Sequence, residues 1–233
     1  MGIERIFTSD KSNRLPVVID VATEYSNEKL DKEYFPTKRG VGYNFSEIPK
    51  SLQDAILHFL ISIVIRKHRK QEDYNSLLVH TSHLTDNADY LADKIWNYLI
   101  KLQVHLPANS GGYFKRIEKI FNEIKKTSKN KLFGEYFDQS YTFPQSITKS
   151  QILDVLLSMK DKNGEFLYAP LEVVSYHSSN RKDLKHDNHT LKFDIKDSYG
   201  NKKFKNYIVV GGNRLSRGLT LEGLTTTYFI RNS

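Results

Sequence analysis

The residues with the clearest chemical potential lie together in Asn206–Ser233, NYIVVGGNRLSRGLTLEGLTTTYFIRNS. A β-branched run there breaks into a double glycine, followed by two guanidinium groups (Arg214 and Arg217) and two hydroxyls (Ser216 and Thr220). Glycine at a strand end lets a phosphate approach bare backbone amides, and arginine offers a forked pair of donors to phosphate oxygens. A Walker loop has four residues between its glycines and then Lys with Ser or Thr. Here five residues separate Gly212 from Gly218, and Leu219 and Thr220 follow. The dinucleotide pattern G-x-G-x-x-G fails as well. What remains suits a turn that grips a phosphate backbone without reading bases, with a plain structural turn as the competing explanation.

A second set could hold a metal. Restriction-type nucleases combine carboxylates with a lysine, often as Asp/Glu-x-Lys in a strand, to bind metal and activate water. FDIK supplies Asp194 and Lys196, with Asp183 or Asp187 as a possible upstream acid. The chain is rich in Asp, Glu and Lys, so such triplets also arise by chance, and DLK at 183–185 is another. His177, His186 and His189 could join a metal site, but the last two sit in a very polar stretch that reads as an exposed loop. Among the aromatic residues, Phe59, Trp96 and Phe121 fall at helical core spacing and read as packing. Tyr113, Tyr136 and Tyr141 lie amid basic segments and stay open to base stacking, with no single site selected.

Composition narrows the setting. The 233 residues are 39% hydrophobic, enough for a sizeable core, and contain no cysteine, which excludes disulfides and thiolate zinc sites. No stretch approaches the ~18 unbroken apolar residues of a membrane span, and the start lacks a signal-peptide core. A cytoplasmic protein with no membrane partner is the expectation. The net charge of +8 favours polyanionic partners, above all nucleic acid. Lys115, Arg116, Lys119, Lys125, Lys126, Lys129 and Lys131 form one basic cluster, and Lys202, Lys203 and Lys205 lead into the glycine turn.

These groups need a scaffold. Residues 1–45 read as a mixed N-terminal segment or linker, with LPVVID (15–20) as a possible strand. From Ser46 to His68, Leu52, Ala55, Ile56, Phe59, Leu60, Ile63 and Val64 share a helical face, with Ser46 able to cap and Pro49 confined to the first turn. SLLVH (76–80) is a short apolar strand, followed by TSH and a helix from about Leu84 to Leu102. Residues 106–169 read as a helical insertion built from GYFKRIEKIFNEIKK, KLFGEYFDQ and TKSQILDVLLSMKD, with no good strand. LEVVSYH, NYIVVGG and LTTTYFIR restore strand character. Apolar strands separated by helices predict an α/β domain with a mostly parallel sheet covered on both faces.

At YIVVGGNRLSRGLTLEGLTTTYFIR the chain resembles the Z-one domain of endonuclease-type proteins, a family with a helicase-like ATPase core. More distantly it resembles motif V of superfamily 2 helicases. IPKSLQDAILHFLISIVIRKHR and SLLVHTSHLTDNADYL are similar to earlier parts of that domain, the second to the motif IV strand. The resemblance runs over about 46–233 and is thin through the insertion. It implies the second RecA-like lobe of a P-loop NTPase-type fold. Arg217 and Gly218 match the helicase Arg-Gly pair, which lies along DNA and borders ATP. Thr220 stands where many helicases carry an aspartate that helps hold the nucleotide. Thr81 and Ser82 match hydroxyl residues that touch the DNA backbone, and could equally cap a helix.

The resemblance therefore implies nucleic-acid contacts at Arg214, Ser216, Arg217, Gly218, Thr81 and Ser82, and nucleotide contacts at Gly212, Arg217 and Thr220. The chain shows no Walker lysine loop and no Asp-Glu box, so a first RecA-like lobe, ATP and Mg2+ are expected only in a fuller protein. This chain alone is expected neither to hydrolyse ATP nor to hold a cofactor tightly. The expected role is DNA translocation or remodelling in a restriction or defence setting. The alternatives are a metal-dependent nuclease centred on Asp194 and Lys196, or an interaction module using the surface of 106–169.

Overall fold

The computed structural model describes residues 46–71, 73–80, 85–129, 142–156, 159–160, 166–168, 171–176, 191, 193, 195–196, 199–200, 202–211 and 221–229, together with Ile19. Four helices appear among them: α1 (Lys50–His68), α2 (Thr85–His105), α3 (Tyr113–Ser128) and α4 (Lys149–Leu156). The main strands are β1 (Asn75–His80), β4 (Leu171–Tyr176), β7 (Asn206–Gly211) and β8 (Leu224–Phe229). Short strands β2 (Met159–Lys160) and β3 (Phe166–Tyr168) pair with each other, as do β5 (Ile195–Lys196) and β6 (Lys202–Lys203).

The main sheet has the order β4-β7-β1-β8, and every pairing in it is parallel. The fold is therefore α/β with a RecA-like arrangement of parallel strands and flanking helices. β7 is buried at every position, which is why its sequence is a continuous apolar run and not an alternating one. The chain passes from β7 to β8 across β1, so Gly211 and Leu224 lie on opposite sides of the central strand.

Each face of the sheet has its own core. Leu77 and Val79 of β1, Ile208 and Val210 of β7, Leu171 of β4 and Tyr228 of β8 join one apolar cluster with residues of all four helices. α1 packs on β8 and β1, while α2 packs on β4 and β7. Ser51 near the start of α1 meets the Tyr228 hydroxyl at 2.9 Å, and Ser175 of β4 donates to Asp89 of α2. The opposite face carries Val174, Tyr207 and Val209, flanked within the sheet by Leu78 and Tyr176 and packed against Leu191, Phe193 and Leu221. Tyr74 meets Phe193 and Phe204 edge-on at 5.2 and 5.3 Å there. Among the described residues that face is closed by aromatic and aliphatic side chains and no helix.

Several expectations are refined. α1 begins at Lys50 with Pro49 as its cap residue and no side-chain cap, so Ser46 does not serve as the cap. It is also buried nearly all round, from Leu52 through Ile65, because β8, β1, α3 and α4 enclose it. Within 106–169 the helices α3 and α4 are present and belong to the same core, but the segment also holds the β2–β3 hairpin. Of the strand expected at 15–20 only Ile19 is described, exposed and in no strand, and the helix expected at 131–139 lies outside the described residues.

Trp96 is the clearest correction. Phe59 and Phe121 are buried as expected, yet Trp96 is 45% exposed, in a row with exposed Ile100 and Val104. The apolar surface of α2 is wider than the strip that β4, β7 and α4 cover. Helical spacing marks a side chain's direction, whereas burial needs a neighbour on that side.

Candidate functional site

The residues singled out for phosphate and nucleotide contacts, Thr81, Ser82, Gly212, Arg214, Ser216, Arg217, Gly218 and Thr220, lie in 81–84 and 212–220, outside the described residues. The described strands nonetheless establish where both segments leave the sheet. β1 ends at His80 and β7 ends at Gly211, and these two residues are register partners. Gly211 is also the partner of Tyr176, the last residue of β4, and His80 is the partner of Phe229, the last residue of β8. All four strands run the same way and finish on one rung. The chain therefore enters 81–84 and 212–220 from adjacent strand ends, with 177–190 entered from the next strand. In open parallel α/β sheets, ligands bind outside this carboxyl edge.

Sequence reasoning missed what stands on that rung. The His80 and Phe229 rings stack with centroids 4.8 Å apart and planes 23° apart. Phe229 is 53% exposed. The available signal was weak: a large apolar residue closes LTTTYF, where threonines precede it, but nothing local links residue 229 to residue 80.

Other candidates separate. Lys196 is exposed on β5, in a hairpin outside the main sheet, while Asp194, Asp183, Asp187, His177, His186 and His189 lie outside the described residues. Among the described residues no group of three or more His, Asp or Glu side chains could hold a metal ion. Tyr113, open to base stacking by sequence, instead stacks on His105 at 5.5 Å and meets Tyr98 at 6.3 Å. Its ring is engaged in the α2–α3 packing. Tyr136 and Tyr141 lie outside the described residues.

The basic cluster is partly structural. Arg116 Nε donates to Asp54 Oδ1 (2.6 Å), its Nη1 to Gln53 Oε1 (2.8 Å) and its Nη2 to the Lys50 carbonyl (2.9 Å). These bonds tie α3 to the start of α1 and direct the guanidinium inward. Lys125 donates to the Gln145 carbonyl at 2.8 Å, and Lys205 is paired with Glu172. Lys115, Lys119, Lys126 and Lys129 stay exposed, the set best able to attract a polyanion. In the same helical layer, burial holds His58 below the ordinary histidine value, against the opposing pull of Asp54 and Glu123.

Among the described residues no helix is long and apolar enough to cross a membrane. No curated protein and no solved structure matches the chain. The family model of the Z1 domain matches residues 51–233, a span that takes in all of α1 after Lys50, every strand of the main sheet and the glycine- and arginine-bearing segment 212–220. The chain belongs to the Z1 domain family.

Proposed function

We propose that this Z1 domain grips a nucleic-acid backbone, DNA in the first instance, at the carboxyl edge of its parallel sheet. The observation that carries the reading is the shared register of His80 and Gly211. It starts the hydroxyl-bearing segment with Thr81 and Ser82 and the segment with Arg214, Ser216, Arg217 and Gly218 from neighbouring strand ends. Hydroxyls, glycine amides and arginines are the usual donors to phosphate oxygens. The net charge of +8 supplies the long-range attraction.

The same edge is proposed as half of an ATP site, with Gly212, Arg217 and Thr220 facing a first RecA-like lobe that carries the phosphate cradle. Phosphoryl transfer needs that cradle, a magnesium site and a charge-stabilising arginine together. The magnesium site in this reading belongs to the fuller protein, together with the phosphate cradle. In this reading the whole protein is an ATP-driven, DNA-acting machine working in the cytoplasm, and this chain alone turns over no ATP.

Binding of fluorescent single-stranded and duplex DNA, measured by anisotropy across a salt series, tests the proposal. Affinity is expected to fall steeply with salt, with a log–log slope near −0.7 to −0.9 per phosphate neutralised. Arg217→Ala is expected to weaken binding severalfold and flatten the slope by about one contact, with an unchanged circular dichroism spectrum. No measurable affinity at low salt would sink the proposal and leave a protein-interaction module in its place.

A further inference from the structure

The last rung of the sheet is chemically unlike the rungs before it. Across β4, β7, β1 and β8 it reads Tyr176, Gly211, His80, Phe229. Register partners in a parallel sheet project from the same face, here the face opposite the helices. Tyr176 and His80 are half-buried, and Phe229 stands out at 53% exposure. Its chain neighbour Tyr228 points to the helical face, is 4% exposed and meets Ser51. The strand thus buries one ring and presents the next.

We infer that Phe229, backed by the stacked His80 imidazole, is a platform for an unpaired base of single-stranded nucleic acid. The inference rests on the proposed backbone grip at the same edge and adds the kind of nucleic acid that the edge takes. His80 lies 4.8 Å from Phe229 with the planes 23° apart, so one side of the phenyl ring is already supported. A supported ring loses less freedom on binding than a loose one. Every base has a π-face, so stacking adds affinity without sequence choice. In a duplex those faces are already stacked on neighbouring pairs, so a surface ring reaches only an unpaired base. A phosphate grip beside an aromatic ring is the usual composition of single-strand binding surfaces.

A protein surface covering the β8 edge is the competing occupant, since Leu224 at the other end of the strand is 47% exposed. Position favours the base. Phe229 shares its rung with the ends of β1 and β7, whereas Leu224 pairs with Ser76 at the opposite edge.

The test uses anisotropy at low salt with labelled oligothymidylate and a same-length strand carrying abasic sites. Wild type, Phe229→Leu and Phe229→Tyr are compared, with thermal unfolding as the check on folding. Wild type and Phe229→Tyr are expected to prefer the thymine strand by roughly tenfold, and Phe229→Leu to lose that preference. The salt slopes of all three should agree, because phosphate contacts are untouched. Equal wild-type binding to both strands, or a preference that survives in Phe229→Leu, overturns the platform while leaving the backbone grip. A change in native mass in Phe229→Leu with the preference retained assigns the ring to a protein contact. Failure of wild type to bind either strand removes both readings.

Discussion

The two ends of the parallel sheet are built for different purposes. At the amino edge polar side chains bond from strand to strand within the chain. Asn75 Nδ2 donates to Asn206 Oδ1 (2.9 Å) and to the Asp73 carbonyl (3.1 Å), linking β1 and β7 at their first rung. Ser76 donates from Oγ to the Glu222 carbonyl (2.7 Å) and from its backbone N–H to the Gly223 carbonyl (2.8 Å), fastening the start of β8 to β1. Lys205 pairs with Glu172 nearby. At the carboxyl edge the final rung holds rings and a glycine, with Phe229 half in solvent. An edge whose strands are cross-linked by side-chain hydrogen bonds holds register. An edge that presents rings and entry points to arginine- and hydroxyl-bearing segments has surface to give to a ligand. Parallel α/β sheets divide their two ends in this way because the loops at the carboxyl ends are those free to vary.

This contrast predicts that amino-edge changes cost stability and carboxyl-edge changes cost binding. The largest loss is expected for Gly223→Ala. Gly223 has φ +63°, and a Cβ there would sit 1.8 Å from the Tyr74 carbonyl oxygen. Backbone must move, so the unfolding free energy in urea should drop by about 3 kcal/mol or more, while the folded fraction keeps its DNA affinity. Asn75→Ala comes next, at about 1–3 kcal/mol, because it strips a buried partner from Asn206. Phe229→Leu and Arg217→Ala should shift unfolding by less than about 1 kcal/mol while carrying the binding losses described above. A large stability loss in either would break the contrast.

The smallest effect concerns pH and lies away from both edges. His58 is held below the ordinary value of 6.5 by burial. Below pH 6.5 the unfolded chain takes up a proton that the folded one resists, so stability falls with pH until the folded value is passed. The slope should stay under the ~1.4 kcal/mol per pH unit that a single proton allows. His58→Gln should flatten it without altering DNA affinity at pH 7.

Much of the scaffold is legible in the chain because its main elements carry strong local patterns. SLLVH and NYIVVG read as strands from unbroken apolar runs, and α1 and α2 read as helices from their spacing, within a few residues at each end. The β2–β3 hairpin escapes, since strands of two and three residues show no period. Trp96 is misplaced for a related reason, because spacing gives direction without saying whether a neighbour stands there. The candidate site was readable as chemistry in GGNRLSRG and its neighbours, but not as a place.

By itself, then, the sequence determined the types of the main elements, the basic balance and the glycine, hydroxyl and arginine content of Gly212–Thr220. These depend on residue identity and on neighbours a few positions apart. Only the tertiary structure decided the strand order, the face that the four helices cover, the inward turn of Arg116, and the rung on which His80 meets Phe229. Each of those rests on partners far apart in the chain, such as Asn75 with Asn206 or Ser51 with Tyr228. Such pairings are selected by the packing of the whole core, and no local window of residues contains them.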